Sequence, residues 1–511
     1  MSRSSTKEIK YGALLSYFLL VVTAIYGLFM TPFILRYVSP GTYGVYTSVA
    51  SLSSALAVID FGLGTTMTRY IARYNATGKK EKANNFIAMI FLQFLIVVLL
   101  LLVIGGCFLL NIKKIYANTF DADQIRMATG LFSILLFNMG MKLLENLFFG
   151  ITNGNEKFVF SNSVKIVSLM AKILLVVLVL PITKNVYVVV VSETIVVIST
   201  LLVFVYYCFR VLRIRPRLVE WDRKLFKESF VYTVLMFIQT LVVQFSSNVD
   251  NVLIGAQISA TAVTVYSMAL TIYSMYQNIS GAIANLMLPR ITKRVVGGAV
   301  SVELQNEVER FGRYQYFLLA AALGGIVALG KEFFFVWLGS GFEDCYYLSI
   351  ILVAGVTLPT IGNVALSILR AQNKMVFRTF TVVFSCIANI IVTIIGIKLW
   401  GYWGAAIGTS LASVINFILM NSYYHIKLKF KIFKMLYNIT FKTTLCAVVP
   451  TIVTMIVKNF FRISVLSFLI CCLIFMFVYI VLLIFVSMTD NEKEVVFGKL
   501  HSIRRSRKGI K

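Results

Sequence analysis

The sequence predicts an all-α polytopic membrane protein of about 14 transmembrane helices, built as two six-helix lobes related by an internal repeat plus two C-terminal helices. Its mean hydropathy is +0.86, and 59% of its residues are hydrophobic while only 14% are charged, which excludes an ordinary soluble globular domain. Apolar runs of about 20 residues, the length needed to cross a bilayer, recur along the chain. The Lys and Arg residues concentrate in alternate connections between those runs.

The apolar runs set the order of the predicted spans. The first six cover 11–35, 43–69, 85–110, 125–150, 158–181 and 186–208, the next six cover 229–256, 261–288, 314–335, 347–369, 377–399 and 403–424, and the last two cover 438–457 and 464–487. They predict an N-terminal lobe over 1–209, a basic cytoplasmic linker over 210–228, a C-terminal lobe over 229–425, two further spans within 426–487 and a basic cytoplasmic tail over 488–511. No connection is long enough for a soluble domain, so the function is expected in or at the membrane.

The placement of positive charge predicts the orientation. With the N-terminus inside, 36 of the Lys and Arg residues fall on the cytoplasmic side, nine fall outside and three lie within spans. Since cytoplasmic loops are enriched in Lys and Arg, this asymmetry predicts a multi-pass protein with both termini cytoplasmic. The net charge of +27 is then explained by orientation and by contact with anionic membrane lipids, and no nucleic-acid partner is expected.

The chain contains an internal repeat. At an offset of 220, Ser39, Val45 and Tyr46 recur as Ser259, Val265 and Tyr266. At an offset of 217, the matching pairs are Val159 and Val376, Phe160 and Phe377, Ser168 and Ser385, Ala171 and Ala388, and Ile173 and Ile390. Two lobes of one fold are typical of alternating-access transporters.

A polar stripe marks the fifth span. Ser161, Lys165, Ser168 and Lys172 recur at helical spacing and therefore share one face. If the helix enters the membrane at Phe158, Lys172 lies about 21 Å deep, where a lysine costs about 2.5–3.5 kcal/mol unless it faces protein, water or an anion. Two interpretations are open: an anion-binding surface, or lysines that pair with neighbouring carboxylates or extend to the membrane surface.

The fourth and sixth spans carry further polar groups. Asn138, Lys142, Glu145 and Asn146 share one helical face, and Lys142 and Glu145 are spaced to pair with each other. If that pair is broken, Lys142 joins the positive stripe. Glu193 in the sixth span is placed to partner Lys172 or to carry a coupling proton, and the sequence leaves both roles open.

The second span contains an isolated carboxylate. Asp60 lies in VIDFGLGTTMTRY and is followed by Gly62 and Gly64. Two interpretations of Asp60 are open. It has a functional role, as an ion or proton site or as part of a hinge, or it has a structural role and hydrogen-bonds a neighbouring helix.

The seventh and eighth spans are the polar part of the second lobe. The seventh has Gln239, Gln244, Ser246, Ser247, Asn248, Asp250 and Asn251, too many polar groups to face lipid, so it is expected to line a cavity or to pack on another helix. The polar residues predicted to line a cavity are Asn138, Ser161 and Ser168 in the first lobe and Gln244, Asn248 and Asn251 in this span. In the eighth, Tyr273 and Gln277 are predicted to line a cavity and Tyr266 to pack inside the protein. Arg290 and Arg370 end their spans at the cytoplasmic face. Two roles are open for each arginine: it binds a phosphate of the substrate, or it only anchors its helix at the membrane surface.

Several function classes are excluded by what the sequence lacks. The two histidines, His425 and His501, fall in a loop and the tail, so no metal or other cofactor is expected. Six cysteines lie in or beside apolar runs, Cys345 is predicted to be exposed on the outer side, and no disulfide framework follows. Nucleotide-binding loops and hydrolase motifs are absent from the sequence, so the protein is not expected to be an enzyme.

Five segments carry a family resemblance: SPGTYGVYTSVASL, VIDFGLGTTMTRYIARY, NVDNVLIG, LRAQNKMVF and CIANIIVTIIGIKLWGYWGAAIGTSLA. Together they resemble the Wzx-type polysaccharide transporters, which are lipid-linked oligosaccharide flippases in one superfamily with the MATE exporters and the lipid II flippases. The resemblance covers about 11–425. It implies a flippase that moves undecaprenyl-pyrophosphate-linked oligosaccharide from the cytoplasmic to the outer leaflet of a bacterial inner or plasma membrane, in capsule, O-antigen or exopolysaccharide biosynthesis. The protein partners that the resemblance makes possible are a polysaccharide polymerase and a chain-length regulator.

The resemblance also implies a cationic cavity for pyrophosphate, a role that Lys142, Lys165 and Lys172 fit. Transport is expected to alternate between inward-open and outward-open states, driven by an ion gradient or the membrane potential. The candidates for ion coupling are Asp60, Glu145, Glu193 and Asp250. Lipid II flippases place arginines in their early helices, whereas the first span here has no charge before Arg36, which argues against lipid II as the substrate.

Three rival functions are open. A MATE-type exporter of small cations is disfavoured by the intramembrane lysines, and a membrane-embedded polymerase or glycosyltransferase by the short outer loops. A purely structural scaffold leaves the charges within the spans unexplained.

Overall fold

The computed structural model describes residues 3–56, 63–218, 244, 248–372, 374–490 and 492–494, and every regular element within them is helical. The helices are α1 (Arg3–Leu35), α2 (Pro40–Leu56), α3 (Leu63–Ala76), α4 (Lys80–Ile115), α5 (Ala122–Gly154), α6 (Phe158–Thr183), α7 (Tyr187–Tyr206), α8 (Ala260–Val296), α9 (Ser301–Leu338), α10 (Asp344–Ala371), α11 (Val376–Trp400), α12 (Tyr402–Leu428), α13 (Ile432–Val457) and α14 (Val465–Leu482). One π-helical turn, Tyr207–Val211, extends α7, and another, Leu483–Ser487, extends α14. Residues 248–257 are also helical.

Eleven helices of the described chain are long and apolar enough to cross a membrane. Their exposed surface is apolar, as lipid contact requires, with Leu178 on α6 and Leu473 on α14 largely exposed. The prediction of an all-α polytopic membrane protein is therefore confirmed. The second predicted span corresponds to α2 and α3, on either side of residues 57–62, and most of the seventh lies outside the described residues, so the count of 14 remains a prediction.

Contacts divide the chain into two compact units. The first comprises Met1–Ser267 with Ile390–Ala405, and the second comprises Met268–Asn389 with Ala406–Lys511. Met67, Phe86, Phe94 and Leu147 lie in the buried core of the first unit. The core of the second unit includes buried residues of α8, α9, α10, α12, α13 and α14. The domain boundaries predicted from the apolar runs are not tested by this division.

Local packing recurs at positions related by the sequence repeat. Ser39 accepts a hydrogen bond from the backbone N–H of Thr42, and Ser259 accepts one from the N–H of Ala262, so both serines cap the start of a helix. A second parallel involves ring stacking by two phenylalanines that the offset of 217 relates. Phe160 stacks on Tyr207 with ring centroids 3.6 Å apart. Phe377 stacks on Tyr423 at 4.5 Å, one residue before the position that the same offset relates to Tyr207.

The first unit contains a close helix approach. A Cβ added at Gly44 on α2 would overlap the carbonyl oxygen of Ala260, the first residue of α8. The Thr264 hydroxyl donates to the carbonyl oxygen of Pro40 at 2.6 Å across the same contact. Glycine therefore allows two backbones to meet here without an intervening side chain.

The prediction for Cys345 is wrong. Its side chain is 0% exposed in the first turn of α10. The neighbouring Tyr346 packs against Gly330 on α9, so the first turn of α10 lies against another helix rather than in an exposed loop.

Candidate functional site

The site begins with a carboxylate shared by two lysines in the first unit. Glu193 on α7 accepts a hydrogen bond from Lys142 on α5 through Oε1. It accepts a second from Lys172 on α6 through Oε2, at 3.0 Å. Of the two roles that the sequence left open for Glu193, the structure shows pairing with Lys172. Three helices thus contribute one charge each to a single cluster.

A second, looser ion pair lies beside this cluster. Lys165 Nζ lies 3.9 Å from Glu145 Oε1 and 4.2 Å from the centre of the Phe149 ring. The i, i+3 pair between Lys142 and Glu145 is therefore not formed, because α6 and α7 supply each of them with a different partner. We call these five residues the α5–α7 cluster (Lys142, Glu145, Lys165, Lys172 and Glu193). Its three lysines and two glutamates leave one positive charge in excess.

The three lysines differ in accessibility. The Lys142 side chain is 50% exposed, whereas that of Lys172 is 18% exposed. Lys142 and Glu193 line a cavity of about 260 Å³ together with Asn138, Asn146 and Tyr46. Lys142 is therefore the most exposed lysine of the cluster and the one that lines this cavity. We call this space the first-unit cavity.

The smaller polar groups of the stripe join helices. The Ser161 hydroxyl is fully buried and lies 2.9 Å from that of Thr152 on α5. The hydroxyls of Ser168 and Thr200 on α7 are 2.6 Å apart. Asn138 donates to the carbonyl oxygen of Val190 at 3.2 Å. Neither serine lines the first-unit cavity, so of the three predicted cavity groups only Asn138 is found there.

Two of the predicted polar residues of the seventh span, Asp250 and Asn251, pack inside the first unit. Asp250 is 2% exposed and accepts hydrogen bonds from Tyr266 at 2.7 Å and Thr393 at 3.3 Å. Asn251 donates to Ser51 on α2 at 2.9 Å. Asn248 donates to the backbone oxygen of the exposed Gln244. Asp60, Gln239, Ser246 and Ser247 lie outside the described residues.

The second unit has a polar cavity of its own, of about 160 Å³, which we call the second-unit cavity. Arg378, near the start of α11, donates through Nη1 to Oδ1 of Asn416 on α12 at 3.0 Å. The cavity is also lined by Gln277, Thr360, Asn363, Ser413, Asn421 and Tyr424. Of the two residues for which the sequence favours a cavity position, Gln277 lines this cavity, whereas Tyr273 packs against the hydrophobic core.

The two cavities correspond through the repeat. Met139, Leu143 and Asn146 line the first, and an offset of 217 relates them to Val356, Thr360 and Asn363, which line the second. The sequence analysis missed Arg378, Asn363 and Asn416. The signal available for Asn363 was its match to Asn146, whereas the positive-inside rule gave a sufficient explanation for an arginine at the start of a span.

The two arginines predicted at the cytoplasmic face differ in their partners. Arg290 lies 3.3 Å from Glu307, which Arg294 also approaches to 3.4 Å. Arg370 is exposed at the last turn of α10. Neither lines the first-unit cavity.

Comparison with known proteins adds a family and a fold. The family described as "Polysaccharide biosynthesis protein" matches residues 11–295, more than half of the chain. A relative from Haloferax volcanii, the "Probable low-salt glycan biosynthesis flippase Agl15", is 23% identical over 197 residues, which are 39% of this chain and 42% of that protein. The match thus spans less than half of the relative's length.

Solved structures share the fold. "Lipid II flippase MurJ, inward closed conformation" has a TM-score of 0.71 at 16% identity and covers 96% of this chain and 99% of its own. An inward-facing multidrug resistance MATE family transporter has a TM-score of 0.67 at 14% identity and covers 80% of this chain and 94% of its own. At these identities the likeness shows the fold alone. Together with the family match it indicates a membrane transporter rather than an enzyme, and the chain is a member of the polysaccharide biosynthesis protein family.

Proposed function

We propose that the protein is a flippase that moves undecaprenyl-pyrophosphate-linked oligosaccharide repeat units from the cytoplasmic to the outer leaflet of a bacterial inner or plasma membrane. It would work by alternating access in the biosynthesis of capsule, O-antigen or exopolysaccharide. The proposal includes 14 spans in two six-helix lobes and two C-terminal helices, with both termini cytoplasmic. The observation that carries it is the excess positive charge of the α5–α7 cluster beside a cavity.

The cluster suits a pyrophosphate because its lysines outnumber its carboxylates and differ in burial. Glu193 neutralises only one of the two lysines it contacts. Lys172 is mostly buried and keeps its carboxylate, while the half-exposed Lys142 exchanges Glu193 for a ligand oxyanion. A ligand phosphate gains charge-assisted hydrogen bonds in this exchange without leaving a buried charge unpaired. Lys165, beside Glu145, adds to the positive potential of the site.

The same contacts suggest how transport is coupled. Protonation of Glu193 or Glu145 would remove the negative charge that holds the lysines, so an ion gradient would change the affinity of the site for the phosphate. Asp250 and Asp60 complete the proposed set of coupling carboxylates, and Arg290 and Arg370 the proposed cytoplasmic contacts of the phosphate. A polymerase and a chain-length regulator are the proposed protein partners.

The test is leaflet exposure of a polyprenyl-pyrophosphate oligosaccharide in proteoliposomes. We expect the wild type to flip it and Lys142→Gln to lower the rate about tenfold, the usual range for one charged hydrogen bond. Lys184→Gln is the matched control, since it removes a cation at the exposed end of α6.

An exporter of soluble molecules is the second candidate, because the MATE transporter shares the fold. Absence of flipping with several lipid-linked glycans, together with transport of a soluble cation, would replace the flippase by this exporter. A polymerase or glycosyltransferase activity would appear in the same vesicles as a change in glycan length.

A further inference from the structure

We propose that the second-unit cavity is an oxyanion-binding subsite centred on Arg378, which holds a carboxylate or phosphate carried by a polyhydroxylated headgroup. The inference rests on the proposed function, since it assigns part of the same substrate to a second place in the chain. It adds a ligand contact that lies outside the α5–α7 cluster.

Arg378 has no carboxylate partner among the described residues that line the cavity. Its guanidinium donates a hydrogen bond to the neutral side-chain oxygen of Asn416. The described lining contains amide, hydroxyl and apolar side chains but no Asp or Glu. Elsewhere in the same unit Arg313 pairs with Glu492 and Arg290 with Glu307. Arg378 is therefore a partly buried cation that, within the described part of the chain, contacts no acidic side chain in its cavity.

A second arginine ends the preceding helix. Arg370 lies in the last turn of α10 and is exposed, whereas Arg378 is half-buried and lines the cavity. Arg378 is therefore the arginine placed to contact a ligand there. An oxyanion in the second-unit cavity would accept hydrogen bonds from its guanidinium. A bidentate contact is available, because a guanidinium matches the geometry of carboxylate and phosphate groups.

The repeat shows what the second unit lacks. The offset of 217 relates Glu193 to Ser410, whose hydroxyl donates to the backbone oxygen of Ile351. The carboxylate that two lysines of the first cluster share is thus replaced by a group without charge. The first-unit cavity is lined by a carboxylate of the protein, whereas the described residues of the second-unit cavity supply none, so an oxyanion there would come from the ligand.

The remaining lining fits a sugar. Gln277, Asn363 and Asn421 bring side-chain amides to the cavity, and each amide both donates and accepts hydrogen bonds. Asn363 already donates to Ser280 at 2.8 Å, which fixes its orientation. Hydroxyl groups next to the oxyanion would find partners of both kinds. The ligand class is therefore an acidic sugar unit or the sugar next to the pyrophosphate.

The experiment uses the full chain in proteoliposomes with two substrates that differ in one unit. One is an undecaprenyl-pyrophosphate-linked neutral oligosaccharide, and the other carries one glucuronic acid in the same glycan. We expect Arg378→Gln to lower flipping about tenfold. Loss restricted to the acidic glycan identifies a sugar carboxylate as the ligand, and equal loss with both identifies the pyrophosphate. Lys398→Gln, at the other end of α11, is the matched control and is expected to leave both rates unchanged.

Asn416→Asp separates binding from folding. It gives Arg378 a permanent carboxylate in place of the neutral oxygen, so the ion pair is kept and the site is closed to a ligand. The proposal predicts the same transport loss as Arg378→Gln with unchanged or higher thermal stability. If Arg378 served only to hold α11 and α12 together, Asn416→Asp would transport like the wild type, and that result would overturn the proposal.

A binding measurement on the full chain in detergent micelles keeps this inference separate from the proposed function. Calorimetry with glucuronate and with inorganic pyrophosphate is expected to show binding of at least one anion that Arg378→Gln weakens about tenfold. Unchanged binding of both anions in the variant would overturn the subsite. If the wild type flips neither lipid-linked glycan, the proposed function fails, while the calorimetric result still decides on Arg378.

Discussion

Glu193 and Lys172 form an ion pair of 3.0 Å between α7 and α6, with both side chains mostly buried. Lys142 contacts the other oxygen of the same carboxylate from α5. The three helices of the first unit are therefore joined by one carboxyl group. The stability of this part of the unit and the charge of its cavity depend on the same residue.

Removal of Glu193 is expected to destabilise the protein. Glu193→Gln leaves the buried Lys172 without its counter-charge, which costs about 3 kcal/mol. We expect a lower thermal midpoint in detergent, and partial recovery in the double variant Glu193→Gln/Lys172→Gln because no unpaired charge remains. Thermal unfolding of the two single variants and the double variant measures this coupling. Strictly additive losses would show that the pair does not contribute as a unit.

The close approach of α2 and α8 predicts a difference between two glycines of one helix. Gly44→Ala places a methyl group on the carbonyl oxygen of Ala260, so the helices must separate at a cost of about 1–3 kcal/mol. Gly41→Ala is the matched control, because its nearest neighbours would lie 3.7 Å away, at ordinary contact distance. Thermal stability in detergent should fall only for Gly44→Ala. Equal behaviour of the two variants would contradict the close packing.

The sequence predicted the helices better than it predicted their partners. A span is a local property, because lipid demands about 20 apolar residues in a row, and charges within such runs stand out by their cost. Pairing depends on how helices pack, so Lys142 and Glu193, 51 residues apart, could not be matched from spacing alone. The local rule instead favoured Glu145, which the structure pairs with Lys165.

The second-unit cavity was missed for a related reason. An arginine at the start of a span already satisfies the positive-inside rule, so Arg378 did not stand out. Its significance depends on Asn416, which lies on another helix, and on the neutral groups around it. Neither feature has a sequence signature.

The hydrogen bond between Tyr266 and Asp250 is expected to be structural. Tyr266→Phe removes a 2.7 Å hydrogen bond to a buried carboxylate and should cost about 1.5–3 kcal/mol. Tyr273→Phe is the control, since this partly buried tyrosine lies further along the same helix. Thermal unfolding in detergent compares the two. A Tyr266→Phe protein as stable as the control would show that this hydrogen bond does not contribute to stability.

The ion pair between Glu492, in the last described turn of the chain, and Arg313 is expected to make the thermal stability of the protein sensitive to acid. Burial of Glu492 disfavours its ionised form, but hydrogen bonds from Arg313 at 2.8 and 3.0 Å and from the backbone of Thr489 outweigh burial and lower its pKa below the ordinary value of 4.5. Because the folded-state pKa is lowered, this stabilisation is complete above the ordinary pKa and is lost as the pH falls through the folded-state value. We expect the thermal midpoint to fall between about pH 5 and pH 3, less steeply in Glu492→Gln. Asp490→Asn, which changes an exposed carboxylate two residues away, should keep the wild-type profile. A Glu492→Gln profile that parallels the wild type would show that the pair with Arg313 does not contribute to stability.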